Sequence, residues 1–449
     1  MRAIYSSLLY LLTPLVLLRL LWRGCRNPAY RQRWRERFGY PGFRVTAPVI
    51  WVHCVSVGET LAAVPLIRGL QQRYPQSSLL VTTTTPTGSA QVRHVFATQV
   101  LHSYLPYDLP GSVHRFLDYV RPRLVVILET ELWPNLFAAC RSRQIPLAIV
   151  NARMSPRSFR GYSRFRALVA LTLQQVNVIA AQSERDADCF RQLGATSGVC
   201  VTGNIKFDME EPEDLQGRAR ELRLSWDEGL AEPRLIWIAA STHDGEDEQI
   251  LTAFQQVRER APDTLLVLVP RHPERFNQVA ALARDWCQQR GLHTIRRSDG
   301  RDCDAATAIV VGDTLGELRL FYAAADIAFV GGSLVPTGGH NILEPAQAGL
   351  PVISGPHTFN FQEAVDLLVA GDALVLVEDA QQLAAAVIQY INDADLRRAA
   401  GGRAKQIVAA NRGALERTLA ALLPLLSPEP VATEVDGRVV DKTGNRSIG

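Results

Sequence analysis

The sequence predicts an α/β protein that contains two doubly wound parallel sheets. Short apolar runs rich in β-branched residues recur in both halves of the chain, and stretches long enough to hold a helix separate them. Runs of this kind suit strands that are buried on both faces. The length of 449 residues is about three times that of a typical domain, so two sizeable domains are expected.

The strands of the two expected sheets can be read in order along the chain. In the first half the strand-like runs are PVIWVHCVS, SLLVTTTT, RLVVILET, PLAIVNAR, VNVIAAQS and GVCVTGN. In the second half they are RLIWIAAST, TLLVLVPRH, AIVVGDT, DIAFVGGS and PVISGP. Unusual polar clusters directly follow many of these runs, and ligands of open parallel sheets bind at the carboxyl ends of the strands. Two sheets whose polar edges face each other would form a ligand cleft between the domains.

The domain boundaries follow from changes in composition. We expect a membrane anchor with a basic juxtamembrane segment at 1–40, a first domain at 41–207 and a second domain at 234–426. The stretch 208–233 is acidic at first, contains prolines and has no strand-like run, so it predicts a linker. Residues 427–449 show little apolar periodicity and predict a disordered tail.

The amino terminus predicts contact with a membrane. Residues 4–18 carry no charge, but Pro14 and the following Arg19 leave two possibilities open, a spanning helix and a helix lying in one leaflet. Six arginines between Arg23 and Arg37 favour the cytoplasmic side and would attract anionic lipid, and they disfavour a cleaved signal peptide. The alternative is a buried first helix of a soluble domain.

Composition excludes several classes of function. The 48 cationic and 45 anionic side chains leave a net charge of +3, which does not indicate nucleic-acid binding. The seven cysteines are scattered without a C-x-x-C pair, as expected for free thiols in a reducing compartment. The usual glycine-rich signatures of dinucleotide and ATP binding are missing, and this narrows the choice toward nucleotide-sugar chemistry.

Three charged residues of the first half are candidates for catalysis. Glu59 lies at a strand-to-helix turn, where it could be a helix-terminal charge or a general base, and position alone does not decide between the two. Glu129 and Glu131 follow a buried strand beside Trp133, and we favour Glu129 because it is nearer the strand. Lys206 is the only lysine before residue 405 in a chain that otherwise uses arginine, so a role in binding an anion is favoured over a merely solubilising one.

The second half offers candidates for nucleotide binding. Ser241, Thr242 and His243, with Glu246, would place hydroxyls at a helix start, where they bind phosphate or serve as ordinary caps. Further strand ends carry Pro270 and Arg271, the turn Leu315, Gly316 and Glu317, and the glycine-rich segment with Asn341, Ile342, Leu343 and Glu344. The two carboxylate oxygens of Glu344 could hold both hydroxyls of a ribose. The alternative is a glycine-rich turn that leads into a capped helix.

No essential divalent metal is expected. The D-x-D pairs Asp186/Asp188, Asp302/Asp304 and Asp393/Asp395 do not directly follow a strong buried strand, so they predict solvated turns or helix faces.

A series of motifs in one order resembles the lipid A Kdo transferases, also called 3-deoxy-D-manno-octulosonic acid transferases, of bacterial lipopolysaccharide assembly. The motifs are WVHCVSVGET, TTTTPTGS, YLPYDLP, ETELWPN, NARMSPRS, GNIKFD, ASTHDGE, VPRHPERF, GDTLGEL, FVGGSLVPTGGHNILEPA and GPHTFNF. The resemblance implies the GT-B fold, CMP-Kdo as the donor substrate and a lipid A disaccharide precursor, lipid IVA, as the acceptor. It also implies a location at the bacterial inner membrane with the catalytic body on the cytoplasmic side.

The resemblance also assigns roles to the candidate residues. Glu59 corresponds to the general base, and Glu129 and Lys206 correspond to groups that assist the transition state. The CMP-binding set corresponds to Pro270, Arg271, Leu315, Gly316, Glu317, Asn341, Ile342, Leu343 and Glu344. Transfer is expected to invert the anomeric centre without cofactor or metal. Two alternatives stay open: another nucleotide-sugar enzyme of this architecture, such as a 2-epimerase, and a catalytically silent CMP-sugar binding module.

Overall fold

The computed structural model divides the chain into two compact units. Among the described residues, the first comprises Met1–Thr202 together with 416–426, and the second comprises Gly203–Leu415. The predicted tail lies outside the described residues. The structure describes residues 1–26, 28–196, 198–209, 213–228 and 230–426.

The first unit contains a fully parallel seven-stranded sheet, as expected. Its strands are β1 (Val49–His53), β2 (Ser78–Thr83), β3 (Leu101–Tyr104), β4 (Pro122–Leu128), β5 (Leu147–Ala152), β6 (Val178–Ala181) and β7 (Val199–Val201). The strand order is β3-β2-β1-β4-β5-β6-β7. The direction of winding therefore reverses between β1 and β4, and their carboxyl ends meet at this point.

The helices that precede or follow these parallel strands are α1 (Arg2–Arg26), α2 (Trp34–Arg37), α3 (Val57–Arg73), α4 (Pro86–Phe96), α5 (Pro110–Val120), α6 (Pro134–Ser142), α7 (Pro156–Ser163), α8 (Arg166–Leu173) and α9 (Glu184–Leu193). Two of them, α1 and α2, precede the first strand, and the helices from α3 to α9 follow the strands in turn. Trp51 of β1 is fully buried and packs on Phe116 of α5, with 4.9 Å between the ring centroids. The apolar strands predicted from the sequence thus form the core of this unit.

The second unit repeats the plan with another parallel seven-stranded sheet. Its strands are β8 (Ile236–Thr242), β9 (Leu265–Pro270), β10 (His293–Arg296), β11 (Thr307–Val311), β12 (Ile327–Val330), β13 (Val352–Ser354) and β14 (Leu374–Leu376). The order is β10-β11-β9-β8-β12-β13-β14, so the winding reverses between β8 and β12. The helices are α10 (Leu215–Trp226), α11 (Asp247–Arg260), α12 (Phe276–Gln288), α13 (Leu318–Ala324), α14 (Leu343–Ala348), α15 (Gln362–Ala370), α16 (Ala380–Asn392) and α17 (Ala394–Ala410).

Two boundaries of this division differ from those predicted. Residues 203–207 pack with the second unit, because the side chain of Phe207 is buried there among Val330 and Ile342. The predicted linker 208–233 also contains α10, which buries Leu222 and Trp226 against the second sheet. The predicted linker thus contains a packed helix of 12 residues.

The last helix returns to the first unit. This helix, α18 (Ala414–Leu422), begins where the second unit ends. The side chain of its residue Leu419 lies against Gly69 of α3. Arg417 donates a hydrogen bond from Nε to the carbonyl oxygen of Thr202 at 2.9 Å. Residues 416–426, which were expected to belong to the second domain, therefore stabilise the first.

The expected apolar helix is present at the amino terminus as α1. Its segment Arg2–Cys25 is long and apolar enough to cross a membrane, with a mean hydropathy of 1.8, and only 6% of its most apolar stretch is buried in the protein. Polar contacts tie it to the first unit: the Ser6 hydroxyl donates to Oδ1 of Asn135 at 2.9 Å, and the Tyr10 hydroxyl accepts from the N–H of Gly111 at 3.3 Å. The sides of α1 that the protein leaves exposed are therefore strongly apolar.

Candidate functional site

Glu59 lies at the amino end of α3, where the chain leaves β1 at the reversal point of the first sheet. Its Oε2 accepts from the backbone N–H of Val55 at 2.8 Å, and its Oε1 accepts from the Ser56 hydroxyl at 3.0 Å. Ser56 in turn accepts from the N–H of Glu59 at 3.3 Å, which completes a reciprocal capping arrangement. Glu59 is therefore a half-buried carboxylate that caps the helix. The same hydrogen bonds hold its orientation at the strand end, and its role as a general base stays a prediction.

Glu129 and Glu131 follow the adjacent strand β4. Glu129 has a left-handed backbone with φ of 54° and donates its N–H to the carbonyl oxygen of Val150 at 3.0 Å. A non-glycine residue in this conformation costs about 1–3 kcal/mol and often marks a functional site. The pKa of Glu131 is raised to about 7, mainly by burial and in addition by the negative charges of Glu59 and Glu129. The structure therefore brings three carboxylates together at the reversal point.

Unpaired polar atoms lie in the same region of the first unit. Among the described residues, His53 Nε2, Thr130 Oγ1 and Trp133 Nε1 are buried without a hydrogen-bond partner. His53 bonds through Nδ1 to Thr82, and burial lowers its pKa to about 4, so its ring is neutral at neutral pH. Buried polar groups without partners destabilise a protein, and each calls for an explanation such as a bound polar ligand.

Lys206 lies in the second unit, not at the end of the first as expected. Its N–H donates to Oδ1 of Asn204 at 3.0 Å, and its Nζ lies 5.6 Å from the centroid of the Phe361 ring. The next residue, Phe207, packs on Ile342, so the segment is anchored beside the glycine-rich motif. The structure therefore groups Lys206 with the predicted nucleotide-binding residues.

Pro270 ends β9, and Arg271 follows it with an exposed side chain. The N–H of Arg271 donates to the carbonyl oxygen of Thr242 at 3.1 Å, which places the guanidinium beside the end of β8. The rings of His243 and His340 are stacked there, with centroids 5.0 Å apart and Nε2 atoms 2.8 Å apart. Burial lowers the pKa of His340 to about 3, and the positive charge of Arg271 acts in the same direction. Neutral histidines thus lie next to a fixed cation.

In the turn at 315–317, the side chain of Leu315 is exposed, whereas the side chain of Glu317 is already hydrogen-bonded within the protein. Leu315 is 76% exposed, and Gly316 has a φ of 84° that favours glycine. Glu317 accepts hydrogen bonds from Thr314 at 2.6 Å and twice from Arg297 at 3.1 Å. Burial acts to raise the pKa of Glu317, but these bonds outweigh it and the pKa is lowered. Glu317 therefore carries a charge that is already engaged by Arg297.

The segment 341–344 contains two buried apolar side chains and two polar ones. The side chains of Ile342 and Leu343 belong to the buried core, so only their backbone can meet a ligand. Asn341 Oδ1 accepts from the N–H of Leu343 at 3.1 Å and so caps α14. Burial raises the pKa of Glu344 even though the cation of Arg319 lies 3.7 Å away. Asn341 and Glu344 are therefore the polar candidates of this segment.

The structure also shows a feature that the sequence did not reveal at the start of α11. Thr242, expected to bind phosphate or cap a helix, donates its hydroxyl to Asp247 at 2.6 Å. Glu246 is fully buried and accepts backbone hydrogen bonds from the loop after β12. The only sequence signal for this contact was the position of Glu246 in the short turn between β8 and α11.

No metal centre is evident in the part of the chain that the structure describes, where no three His, Cys, Asp or Glu side chains are arranged to hold an ion. One D-x-D residue differs from expectation, because Asp186 is buried and accepts from the N–H of Met154 at 2.7 Å. Metal-independent activity stays a prediction.

Comparison with known proteins gives consistent matches along the chain. Residues 32–209 match the family model described as 3-deoxy-D-manno-octulosonic-acid transferase (kdotransferase), and residues 245–407 match glycosyl transferases group 1. The 3-deoxy-D-manno-octulosonic acid transferase of Haemophilus influenzae is 43% identical over 95% of this chain and 99% of its own length. The protein of the same name from Bordetella pertussis is 38% identical over 94% of this chain and 98% of its own.

A solved structure supports the fold alone. UDP-GlcNAc 2-epimerase from Neisseria meningitidis, bound to UDP-GlcNAc, aligns with a TM-score of 0.55 and covers 84% of this chain and 100% of its own. The sequence identity is 16%, so the likeness concerns architecture and not activity.

Proposed function

Because the chain belongs to the 3-deoxy-D-manno-octulosonic acid transferase family and is a glycosyltransferase, we propose that it moves Kdo from CMP-Kdo onto lipid IVA, a lipid A disaccharide precursor. The observation that carries this proposal is the group of Glu59, Glu129 and Glu131 at the reversal point of the first sheet. A silent binding module would have no need of such a costly arrangement of like charges.

Glu59 is the proposed general base. A half-buried carboxylate held by Val55 and Ser56 has a fixed orientation, and such a group can take the proton of an acceptor hydroxyl as that oxygen attacks. With a single base and no covalent intermediate, attack and departure of CMP occur on opposite faces, so the anomeric centre inverts. The comparison is with inverting glycosidases, in which water takes the place of the sugar hydroxyl.

Glu129 and Lys206 are proposed to assist the transition state. CMP departs as an anion and Kdo itself is an acid, so a fixed ammonium group lowers the energy of the developing charge. Glu129 lies one residue beyond β4 in a strained conformation, which fits a side chain placed for chemistry.

The second unit is proposed to bind the CMP-sugar. Arg271 and the backbone of Leu315, Gly316 and Glu317 would contact the nucleotide, together with Pro270 and the segment Asn341, Ile342, Leu343 and Glu344. The exposed guanidinium of Arg271 suits a phosphate, and the oxygens of Glu344 suit ribose hydroxyls. A monophosphate leaving group carries less charge than a diphosphate, so these groups would suffice without a metal ion or cofactor.

The acceptor and the membrane are proposed to meet the first unit. The unpaired polar atoms of Thr130 and Trp133, whose side chains are only half-buried, would bond to sugar hydroxyls, whereas His53 is fully buried. The exposed apolar sides of α1 would enter the bilayer, and the exposed side chains of Arg23, Arg31 and Arg35 would contact anionic lipid on the cytoplasmic side of the inner membrane. Arg37, in contrast, is buried and donates to the carbonyl oxygen of Thr84.

The test combines detergent-solubilised protein with CMP-Kdo and tetraacyl lipid A precursor in the presence of EDTA. CMP release and product mass are followed for wild type, Glu59→Gln, Glu59→Ala and the surface control Glu184→Gln. We expect wild type and the control to add Kdo mass units, whereas both Glu59 variants are inactive and still bind CMP. The glutamine variant keeps the side-chain length and one acceptor for the cap, so it separates loss of the base from loss of the cap.

Three results would count against parts of the proposal. Turnover by Glu59→Gln close to that of wild type would remove Glu59 as the base. Hydrolysis of CMP-Kdo without product, or no reaction with it at all, would return the epimerase and silent-module alternatives. Loss of activity only when EDTA is present would contradict metal independence.

A further inference from the structure

We propose that Glu246 is a positioning residue whose buried carboxylate holds the donor-binding loops of the second unit in shape. This inference rests on the proposed function, in that the second unit binds the CMP-sugar. It adds a residue to which the resemblance assigns no role and which does not itself need to contact the donor.

Both oxygens of Glu246 are saturated by backbone donors. Oε2 accepts from the N–H of Gly332 at 2.7 Å and of His243 at 2.9 Å. Oε1 accepts from the N–H of Ser333 and of Leu334, each at 2.9 Å. The side chain is fully buried, so these four contacts replace water around the carboxylate.

Such a concave group of backbone N–H donors is an anion-binding site. At the reversal point of a parallel sheet, donors of this kind commonly meet the phosphate of a bound nucleotide. In this chain the carboxylate of Glu246 already occupies them between β8 and β12. The donor phosphate would therefore be bound by other groups, and one candidate is the exposed cation of Arg271, whose backbone N–H bonds to the carbonyl oxygen of Thr242 at the end of β8.

Hydrogen bonds lead from Glu246 to the glycine-rich motif. The carbonyl oxygen of Gly332 accepts from the N–H of Gly339 and from the Thr337 hydroxyl, both at 2.7 Å. Gly339 directly precedes His340 and Asn341. A loop held at Gly332 by Glu246 thus fixes the position of the residues proposed to bind CMP.

A second path runs through His243. Glu246 holds the backbone of His243, whose ring stacks on His340. Gly332 also has to be glycine, because a Cβ there would stand 2.8 Å from Cδ2 of His340 and its φ is 69°. The two paths converge on His340, so displacement of Glu246 would move both loops.

The experiment exploits the fact that each carboxylate oxygen accepts two bonds. Glu246→Gln conserves the shape of the side chain. In either orientation of the amide, its NH₂ group faces two backbone N–H donors, which then lose their acceptor. We expect this variant to weaken CMP binding about tenfold or more, with an unchanged KM for the lipid acceptor. The matched control is Glu248→Gln on the exposed side of α11, which is expected to bind CMP as wild type does.

Chemical rescue gives a readout that a merely structural role would not move. Glu246→Ala leaves a cavity lined by four N–H donors, which formate is small enough to enter. Added formate is expected to restore part of the CMP affinity of Glu246→Ala and to leave the control unchanged. Thr337→Val, a change at an exposed side chain, is expected to weaken CMP binding about threefold without a shift in melting temperature.

The outcomes are distinct. If wild type binds CMP and Glu246→Gln binds it equally well with only a lower melting temperature, the positioning role is wrong and the proposed function stands. If Glu246→Gln does not fold, Thr337→Val decides, and wild-type affinity in that variant overturns the proposal. If wild type itself does not bind CMP, the proposed donor is wrong and the inference falls with it.

Discussion

Asp108 and Asn135 form a reciprocal buried pair in the first unit. The N–H of Asn135 donates to Oδ2 of Asp108 at 3.0 Å, while its Nδ2 donates to the carbonyl oxygen of Asp108 at 2.7 Å. The N–H of Leu136 donates to Oδ1 of the same carboxylate at 2.7 Å. This pair ties the loop before α5 to the amino end of α6, directly after the loop that carries Glu129 and Glu131.

Asp108→Asn is expected to lower the free energy of unfolding by about 1–3 kcal/mol. The asparagine NH₂ would face a backbone N–H of Asn135 or Leu136, so one buried donor loses its acceptor. Urea unfolding followed by tryptophan fluorescence measures the change. Asp118→Asn is the control, because its ion pair with Arg143 is exposed and worth less than about 1 kcal/mol. Equal effects of the two substitutions would contradict the role of the buried pair.

Glu131 is expected to make stability fall as pH rises. Its pKa in the folded protein is about 7, against an ordinary value of 4.5, because burial and the charges of Glu59 and Glu129 disfavour ionisation. Between these two values the folded state binds more protons than the unfolded state, so the free energy of unfolding decreases with rising pH by about 1–3 kcal/mol from this group.

Other groups titrate over the same range, so the measured quantity is the difference between wild type and Glu131→Gln. The variant is expected to gain stability relative to wild type as pH is raised from 4.5 to 8, as measured by thermal unfolding. A difference that is constant across this range would show that Glu131 ionises normally.

Two adjacent glycines of α17 are expected to respond in opposite directions. A Cβ at Gly401 would stand 1.9 Å from the carbonyl oxygen of Gly349, whereas a Cβ at Gly402 would meet nothing within 4 Å. Gly401→Ala is therefore expected to destabilise the protein by about 1–3 kcal/mol. Gly402→Ala should stabilise it by about 0.4–1 kcal/mol, since alanine favours the helix. Chemical denaturation of both variants tests the packing of α17 on the turn after α14.

Lys206→Met is expected to lower kcat at least about tenfold, because the proposed cation no longer offsets the charge of the departing CMP. The steady-state rate of CMP release is the measurement. Lys405→Met serves as the control, since Lys405 is exposed on α17 and has no proposed part in the reaction. If Lys206→Met had the same kcat as wild type, the proposed role of Lys206 in the transition state would be wrong.

The strands buried in the centre of each sheet were predicted from the sequence, whereas three short strands at the edges were not. The runs that became β1, β4, β8 and β12 are continuous and apolar, because both faces of these central strands are buried. The sequence does not predict β3, β10 or β14. All three are edge strands of four residues or fewer, and β10 and β14 are largely exposed or half-buried. A strand this short gives too brief a pattern to stand out from a loop, although the edge strand β7 was predicted from its run GVCVTGN.

The sequence by itself determined the two parallel sheets, the apolar first helix, and the positions of Glu59 and Glu129 at strand ends, since each of these follows from local patterns. Only the tertiary structure decided that the segment of Lys206 packs with the second unit. It also decided that Glu131 lies close enough to the other two carboxylates for their negative charges to raise its pKa. Finally, it decided that the carboxylate of Glu246 accepts from the N–H donors after β12. These facts depend on contacts between segments far apart in the chain, as in the bond from Ser333 to Glu246, 87 residues apart, and the packing of Phe207 with Ile342. Local propensity and periodicity do not encode which strand ends become neighbours, because strand order is settled by packing of the whole sheet.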